Sequence, residues 1–298
     1  MLYNYFMLGY IFALISSIFF SFYIIPRKLS KLTPVNFSFF MSIGFFVSTV
    51  ILYLFQPLLK FHESFSPALF LSVIAGVIWA TSFVLFVSSI DEIGLSKSNQ
   101  WKNLQGPVGV ILSLLILGEW SKINPIFAIL AAIAVFLSAV AFTTSDKSSG
   151  KSNLKGIILA TFSALGFGSV AVIQKYVTAQ TGVYTQQIVW SFSIFLSLLI
   201  FLIINKRLKD VFKSPFKQIS LSLGAGVIYL GASLFQLFSY SYIPASIAFT
   251  IIQMNTFWTI TIGILIFREI DLKKYYKNVL VGFLLTALGI LFLFFARK

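Results

Sequence analysis

Residues 71–79 read LSVIAGVIW, and residues 221–229, which lie 150 positions later, read LSLGAGVIY. The same offset aligns Ser96 with Ser246 and Glu119 with Glu269. A constant offset that persists over about fifty residues is the signature of an internal duplication. The sequence therefore predicts two related halves.

Both halves are rich in apolar segments that are long enough to cross a membrane. Hydrophobic residues make up 58% of the chain, charged residues make up 10%, and the mean hydropathy is +0.96. A hydrocarbon core about 30 Å thick requires about 20 apolar residues in a helix. Ten segments meet this requirement, at residues 7–26, 35–56, 67–90, 97–117, 123–143, 155–175, 185–204, 218–240, 245–267 and 276–296. We therefore predict an all-α integral membrane protein, multi-pass in the cell membrane and surrounded by lipid.

A polar linker, TTSDKSSGKSN at residues 143–153, lies at the midpoint of the chain. It divides the sequence into a first five-helix repeat (1–144), a linker (145–154) and a second five-helix repeat (155–298). Because five is an odd number, the second repeat must enter the membrane in the opposite orientation. The sequence thus predicts ten transmembrane helices as a 5+5 inverted repeat, an architecture in which transporters place the solute near mid-membrane between the halves.

The positions of the basic residues predict the orientation. Sixteen Lys and Arg residues lie in loops that follow odd-numbered segments, whereas five lie in the even-numbered loops and at the C-terminus. Cytoplasmic loops are the ones enriched in these residues, so we expect a cytoplasmic linker and external termini. Since the cations flank apolar runs, the net charge of +14 indicates contact with anionic lipid rather than with nucleic acid.

The composition also excludes several kinds of chemistry. Cysteine is absent and the single histidine, His62, lies in a loop, so the sequence predicts no metal site and no cofactor. Nucleophile–base pairs and phosphate-binding loops are missing, and we expect no enzyme. None of the eight acidic residues lies at the centre of a segment. A co-transported proton or sodium ion would therefore have to use Asp91, Glu119 or Glu269 near helix ends.

The fourth apolar segment contains unusual polar residues, KSNQWKNLQGP at residues 97–107. Asn99, Asn103 and Gly106 are spaced i, i+4, i+7 and would share one helix face. Gly106 and Pro107 weaken the backbone hydrogen bonds nearby. One interpretation is a wall of amides that faces a small polar solute, and the alternative is that the helix starts later and these residues lie at the membrane interface.

The repeat places a second set of amides in the ninth segment. Asn103 aligns with Gln253 and Gln105 aligns with Asn255, while Trp258 follows about one turn later. Amides at equivalent positions of two inverted halves suit a solute site on the axis between them. The alternative is interhelical hydrogen bonding without a solute, which is worth about 0.6–2 kcal/mol per bond.

Aromatic residues repeat in the same way. Trp79 in the third segment aligns with Tyr229 in the eighth, where Tyr229, Ser233, Gln236 and Tyr240 share one face. Such a stripe can stack on the C–H face of a sugar and bond its hydroxyls. Helix packing without a solute is the alternative.

Other polar residues favour structural roles. Gln186, Gln187 and Trp190 lie close to the start of the seventh segment, where interfacial anchoring is the favoured interpretation. Lys102 and Lys175 are the cations nearest to helix interiors, and each lies close enough to a helix end for its side chain to reach the interface. This structural role is favoured for Lys175, whereas for Lys102 a functional role is an equal alternative.

Three short motifs resemble a known family. SIDEIGLS at residues 89–96, NLQ at 103–105 and GEWS at 118–121 are similar to the region of the third and fourth helices in the glucose/ribose porter family of the drug/metabolite transporter superfamily. The resemblance implies ten helices in two inverted halves and sugar uptake, with protons as the coupling ion. The sequence departs from the pattern at Gly106-Pro107, and the superfamily's termini are commonly cytoplasmic.

We therefore predict a secondary transporter that moves a small polar solute, with a sugar as the favoured solute, by alternating access. An exporter of amino acids or other metabolites is the alternative within transport. A membrane-embedded enzyme or a channel is a more remote one.

Overall fold

The structure, a computed structural model, describes residues 2–56, 64–93, 95–143, 153–262 and 272–296. Helices are the regular elements of this part of the chain, and it contains no strand. The all-α prediction is therefore confirmed. Most of the predicted linker, 145–154, and the predicted coupling residue Glu269 lie outside the described residues.

Fourteen α-helices are described, and a short 3-10 turn follows the sixth of them at Glu119–Ser121. The helices are α1 (Leu2–Phe22), α2 (Ile24–Leu29), α3 (Pro34–Phe55), α4 (Leu69–Ile93), α5 (Leu95–Lys102), α6 (Gln105–Ile116), α7 (Pro125–Thr143), α8 (Leu154–Thr178), α9 (Val183–Ile204), α10 (Leu208–Val211), α11 (Phe216–Tyr242), α12 (Ala245–Gln253), α13 (Asn255–Ile262) and α14 (Leu272–Ala296).

Seven helices of the described chain are long and apolar enough to cross a membrane. They are Phe6–Arg27, Pro34–Phe55, Leu69–Ile93, Leu154–Thr178, Val183–Ile204, Phe216–Tyr242 and Lys274–Ala296. A further apolar helix, Pro125–Ala141, is shorter. These lengths and compositions are those of a multi-pass membrane protein.

Three of the ten predicted segments are not continuous helices, and the first of them is interrupted only near its end, at Tyr23 between α1 and α2. The fourth segment is divided into α5 and α6 at Asn103 and Leu104, and the ninth is divided into α12 and α13 at Met254. At a rise of 1.5 Å per residue, pieces of this length cover about 12–18 Å, which is less than the ~30 Å of a bilayer core. Each piece is therefore too short to span alone, and the count of ten spans stays a prediction.

The bounds of the divided helices recur along the chain. α6 begins at Gln105 and α13 begins at Asn255, so the starts of the two pieces that follow the breaks are 150 residues apart. This is the offset that aligns the two halves of the sequence. The duplicated pattern thus extends to the places where helices begin.

Two glycines allow α3 and α11 to approach closely. A Cβ placed on Gly44 would lie 2.2 Å from the carbonyl oxygen of Leu223, and one on Gly226 would lie 2.1 Å from that of Met41. The two backbones are therefore in direct contact. This contact brings Phe45 of α3 against Tyr229 of α11, with ring centroids 5.0 Å apart.

Candidate functional site

The breaks in the two divided helices meet inside the molecule. The Asn103 side-chain amide donates to the Thr256 hydroxyl at 3.1 Å, and the Gln105 amide donates to the side-chain oxygen of Gln253 at 2.9 Å. All four side chains are at least nine-tenths buried. The Gln105–Gln253 bond joins one member of each aligned pair, whereas neither aligned pair, Asn103 with Gln253 or Gln105 with Asn255, is itself joined by one of these two bonds. That these amides bind a solute stays a prediction.

The first break has a clear local cause. Pro107 has no N–H group, so the carbonyl of Asn103 does not receive the hydrogen bond that a regular helix would supply from that position. It accepts instead from the amide of Gly106 at 3.1 Å, and Leu104 N–H bonds to Trp101 in the same tighter manner at 3.2 Å. The helix narrows there and restarts at Gln105.

The second break has no such signal in the sequence. Neither proline nor glycine occurs between Ala245 and Ile262. At this break the Met254 amide bonds to the Ile251 carbonyl at 3.0 Å, and the Ser21 hydroxyl of α1 donates to the Asn255 carbonyl at 2.8 Å. A side chain from another helix thus binds the backbone there.

The remaining amides of these segments are placed differently. Asn99 on α5 is half-buried, and the break at Asn103 and Leu104 interrupts the continuous face that was expected to run from Asn99 to Gly106. Asn255 is also half-buried, and its side-chain oxygen accepts from the Thr256 hydroxyl at 3.4 Å. The Trp258 indole donates to the Ser17 hydroxyl of α1 at 3.0 Å, so this ring faces α1.

The aligned aromatic residues form a cluster in the centre of the fold. The rings of Trp79 and Tyr229 are 5.2 Å apart, and Trp190 lies 6.4 Å from the first and 6.2 Å from the second. Phe45 contacts Tyr229 edge-on. The two aligned rings, which were expected either to stack on a sugar or to pack between helices, are in direct contact with each other in this structure.

The predicted stripe on α11 is buried along its whole length. Tyr229, Ser233, Gln236 and Tyr240 each expose 5% of their surface or less. The Gln236 amide donates to the Tyr240 hydroxyl and to the side-chain oxygen of Gln174, both at 2.9 Å. Gln174 is not predictable from the sequence, because one glutamine near the end of an apolar segment carries no periodic signal.

The prediction of interfacial anchors on α9 was wrong. Gln186, Gln187 and Trp190 expose 2% of their surface or less. The Gln187 amide donates to the Ser233 hydroxyl at 2.6 Å, and the Gln186 amide donates to the Gln174 carbonyl at 3.0 Å. Packing of α9 against its neighbours covers this end of the helix, which distance from the segment start does not reveal.

The two lysines near helix interiors differ in their contacts. The Lys175 ammonium donates to the carbonyls of Tyr240 and Ile243 at the end of α11, where a cation is favourable to the helix dipole. Lys102 exposes only 8% of its surface, and its ammonium lies 5.1 Å from the centre of the Phe86 ring. Lys102 makes no ion pair with any residue that the structure describes.

Glu119 caps the N-terminus of α12. Its carboxylate accepts from the backbone amides of Ala245 and Ser246 at 2.6 and 2.9 Å, and from the Ser246 hydroxyl at 2.6 Å. Gly118 adopts a φ of 65° immediately before it, a conformation that favours glycine and that turns the chain out of α6. Of the other coupling candidates, Asp91 is exposed at the end of α4.

Several buried polar side-chain atoms make no hydrogen bond within the described residues, including the hydroxyls of Ser72, Ser98, Ser113 and Ser163. Four of these atoms belong to an amide or an indole group. They are Asn103 Oδ1, Gln174 Nε2, Gln187 Oε1 and Trp190 Nε1. Buried polar groups are normally paired because an unpaired one costs about 1–3 kcal/mol. These atoms are therefore the strongest candidates for contact with a polar solute. No group of three His, Cys, Asp or Glu residues that could hold a metal ion occurs in the part of the chain that the structure covers.

The chain is similar to proteins of one family over most of its length. The family described as sugar transport protein matches residues 62–296. A probable glucose uptake protein, GlcU, of Priestia megaterium is 24% identical over 76% of this chain and 80% of its own. The glucose uptake protein GlcU of Bacillus subtilis is 23% identical over 86% and 87%. A putative sugar uptake protein of Lactobacillus helveticus is 26% identical over 90% and 93%.

The fold is also similar to a solved structure. One crystal structure of a protein superposes with a TM-score of 0.72 over 95% of this chain and 96% of that chain, at 8% identity. At this level of identity the similarity concerns the fold alone.

Proposed function

Since this chain belongs to the sugar transport protein family, we propose that it is a secondary transporter that takes up a sugar across the cell membrane by alternating access. The relatives that are named glucose or sugar uptake proteins support the solute class. The buried amides and aromatic rings are the side chains that bind hydroxyls and the C–H faces of sugar rings.

The proposal includes the 5+5 inverted repeat, with repeats at 1–144 and 155–298 joined by the linker 145–154. It is supported by the offset of 150 residues that relates both the sequences and the helix starts. An odd number of helices in each repeat gives the halves opposite orientations. Transporters of this type bind solute at the interface of the repeats, where interrupted helices expose polar backbone groups.

The observation that carries the proposal is the contact between Gln105 of α6 and Gln253 of α12. It joins interrupted helices from the two halves close to their breaks. Counted from Leu95 and from Ala245 at 1.5 Å per residue, each break lies about 12–14 Å along its helix, which is about mid-depth in a ~30 Å core. Solute in this position contacts both halves at once.

In the proposed mechanism, the solute takes the place of contacts between the halves. Gln105 and Gln253 part, and solute hydroxyls accept from and donate to the same amide groups. Exchanging one hydrogen bond for another changes the free energy little, whereas an unpaired buried group costs about 1–3 kcal/mol. The two halves can therefore close against each other in the absence of solute, and they can also close around a bound solute. Asn103, Asn255 and Gln236 add further amides to the site.

A co-transported proton or sodium ion would use a carboxylate. Both oxygens of Glu119 are already engaged in capping α12, which leaves Asp91 and Glu269 as the better candidates of the three.

Uptake of radiolabelled D-glucose into liposomes that contain the purified protein tests the proposal. We expect saturable uptake that unlabelled glucose inhibits, and accelerated exchange when the liposomes are preloaded with glucose. Exchange of this kind identifies a carrier rather than a channel. Uptake no faster than in protein-free liposomes for D-glucose, D-ribose and other simple sugars would overturn it.

The proposed orientation places both termini outside and the linker in the cytoplasm. It rests on the excess of Lys and Arg in the odd-numbered loops. A reporter that is active only in the cytoplasm should be inactive when it is fused after Lys298. An active fusion would reverse the orientation.

A further inference from the structure

A second group of buried polar side chains lies between α8, α9 and α11. It consists of Gln174, Gln187, Ser233 and Gln236, which we call the amide cluster. Gln187 donates to Ser233 at 2.6 Å, and Gln236 donates to Gln174 at 2.9 Å. The four side chains expose between 0% and 5% of their surface. Three helices thus contribute to one buried polar region.

The amide cluster contains unpaired atoms with a defined character. The Ser233 hydroxyl donates to the Leu230 carbonyl at 3.1 Å, so its oxygen must accept from the Gln187 amide. This fixes the Gln187 orientation and leaves Gln187 Oε1 as an unpaired acceptor. Gln174 uses its oxygen to accept from Gln236, which leaves Gln174 Nε2 as an unpaired donor within the described chain.

The neighbouring glutamine shows what a purely structural amide looks like in this fold. Gln186 is 1% exposed, and its amide donates to the Gln174 carbonyl at 3.0 Å. Its oxygen accepts from the Thr178 hydroxyl, which it shares with the Gln174 carbonyl, both at 2.7 Å. Both ends of Gln186 are therefore paired within the protein. Gln187, the next residue, is equally buried and is paired at one end only.

The amide cluster adjoins the aromatic part of the proposed site. Trp190 lies one helical turn after Gln187, and its ring is 6.2 Å from that of Tyr229. Its indole N–H is a further unpaired donor. Along α11, Tyr229, Ser233 and Gln236 follow one another on one buried face. The unpaired atoms thus continue from the aromatic rings toward the end of α11 that Lys175 caps.

The corresponding side chains of the first half are apolar, although the buried Lys102 ammonium lies on the ring of one of them, Phe86. At the offset of 150 residues, Gln187, Ser233 and Gln236 align with three phenylalanines, Phe37, Phe83 and Phe86. All three are buried. The amide cluster is therefore present in one half only. Because the other half folds with phenylalanines at the aligned positions, the fold itself does not require polar residues there.

We infer that the amide cluster, together with the indole N–H of Trp190, is a second binding station for a neutral polyhydroxylated solute. The station offers two unpaired donors and one unpaired acceptor, and a hydroxyl group can satisfy both kinds. It contains no charged group, which suits a neutral sugar better than an anion or a cation. The inference rests on the proposed function, and it adds a station on the α8, α9 and α11 side of Tyr229.

The test compares two adjacent glutamines in the full-length protein. In Gln187→Leu the unpaired acceptor is lost, whereas Gln186→Leu removes an amide that is fully paired within the protein. D-glucose affinity is measured on purified protein by equilibrium binding, and thermal unfolding is measured in parallel. We expect Gln187→Leu to weaken glucose binding by about 5- to 150-fold with little change in the unfolding temperature. Gln186→Leu should lower the unfolding temperature and keep wild-type affinity in the folded protein.

A second variant guards against an effect of Gln187→Leu on folding. Trp190→Phe keeps an aromatic ring and removes the unpaired donor, and it should also weaken glucose binding. Wild-type affinity in both Gln187→Leu and Trp190→Phe would overturn the second station and leave the proposed function intact. A wild-type protein that binds and transports no simple sugar would overturn both.

Discussion

The side-chain amide of Gln105 donates to the side-chain oxygen of Gln253 at 2.9 Å, across 148 positions of sequence. The bond joins the first residue of α6 to the last residue of α12. The two residues are buried, and each lies beside a break in its helix. A buried amide in an apolar surrounding requires a polar partner, and each of these two glutamines finds that partner in the other.

The first prediction concerns this junction. Asn103→Ala and Gln253→Ala should each weaken glucose binding by about 5- to 150-fold, because each substitution leaves a solute hydroxyl without its partner at a cost of about 1–3 kcal/mol. Equilibrium binding on purified protein measures the effect. The double variant should lose less glucose-binding free energy than the two single variants lose together, since Asn103 and Gln253 lie at one junction. Wild-type glucose affinity in both single variants would contradict the site and would leave these amides with a role in interhelical hydrogen bonding only.

The second prediction concerns Lys102. A buried cation in the membrane is costly and is normally retained for function. Lys102→Met should therefore raise the thermal unfolding temperature, since methionine packs well on the Phe86 ring. It should also reduce glucose uptake into liposomes by roughly tenfold or more, the equivalent of one charge-assisted hydrogen bond. Lys102→Arg, which keeps the charge, is the control and should retain more uptake. Unchanged uptake in Lys102→Met would assign this lysine to packing alone.

The third prediction concerns the cap on α12. Glu119→Ala should destabilise the protein, because the amides of Ala245 and Ser246 lose their acceptor and each unpaired donor costs about 1–3 kcal/mol. Thermal unfolding in detergent measures the change. Glu119→Gln keeps one acceptor oxygen and should lose less stability. Equal unfolding temperatures for wild type and Glu119→Ala would contradict the capping role.

The fourth prediction concerns the contact of α3 with α11. Gly226→Ala should destabilise the protein by about 1–3 kcal/mol, because the added Cβ collides with the α3 backbone. Gly224→Ala, two residues earlier in the same helix, is the matched control. A Cβ at Gly224 has no neighbour within 4 Å, so the change should be neutral or stabilising by up to about 1 kcal/mol. A similar response of the two variants to thermal unfolding would show that the helices do not pack this closely.

The helical class and the approximate positions of the apolar segments are predictable from the sequence, and the repeat predicts which residues of the two halves are equivalent. These follow from composition, from segment length and from a repeat, all of which are local or periodic properties of the chain. The offset of 150 residues also aligns Asn103 with Gln253 and Trp79 with Tyr229, and so predicts that the members of each pair occupy equivalent positions. The break near Pro107 was foreseeable because proline lacks the N–H that a helix needs.

Tertiary structure alone decided which polar groups are paired and which are not. No glycine or proline near Met254 predicts the break there, and the break lies where the Ser21 hydroxyl of α1 donates to the backbone carbonyl of Asn255. Gln186 and Gln187 are identical neighbours in the sequence, yet Gln186 is paired at both ends and Gln187 at one. Hydrogen bonding of a buried side chain depends on the helices packed around it, and no periodicity within a single helix contains that information.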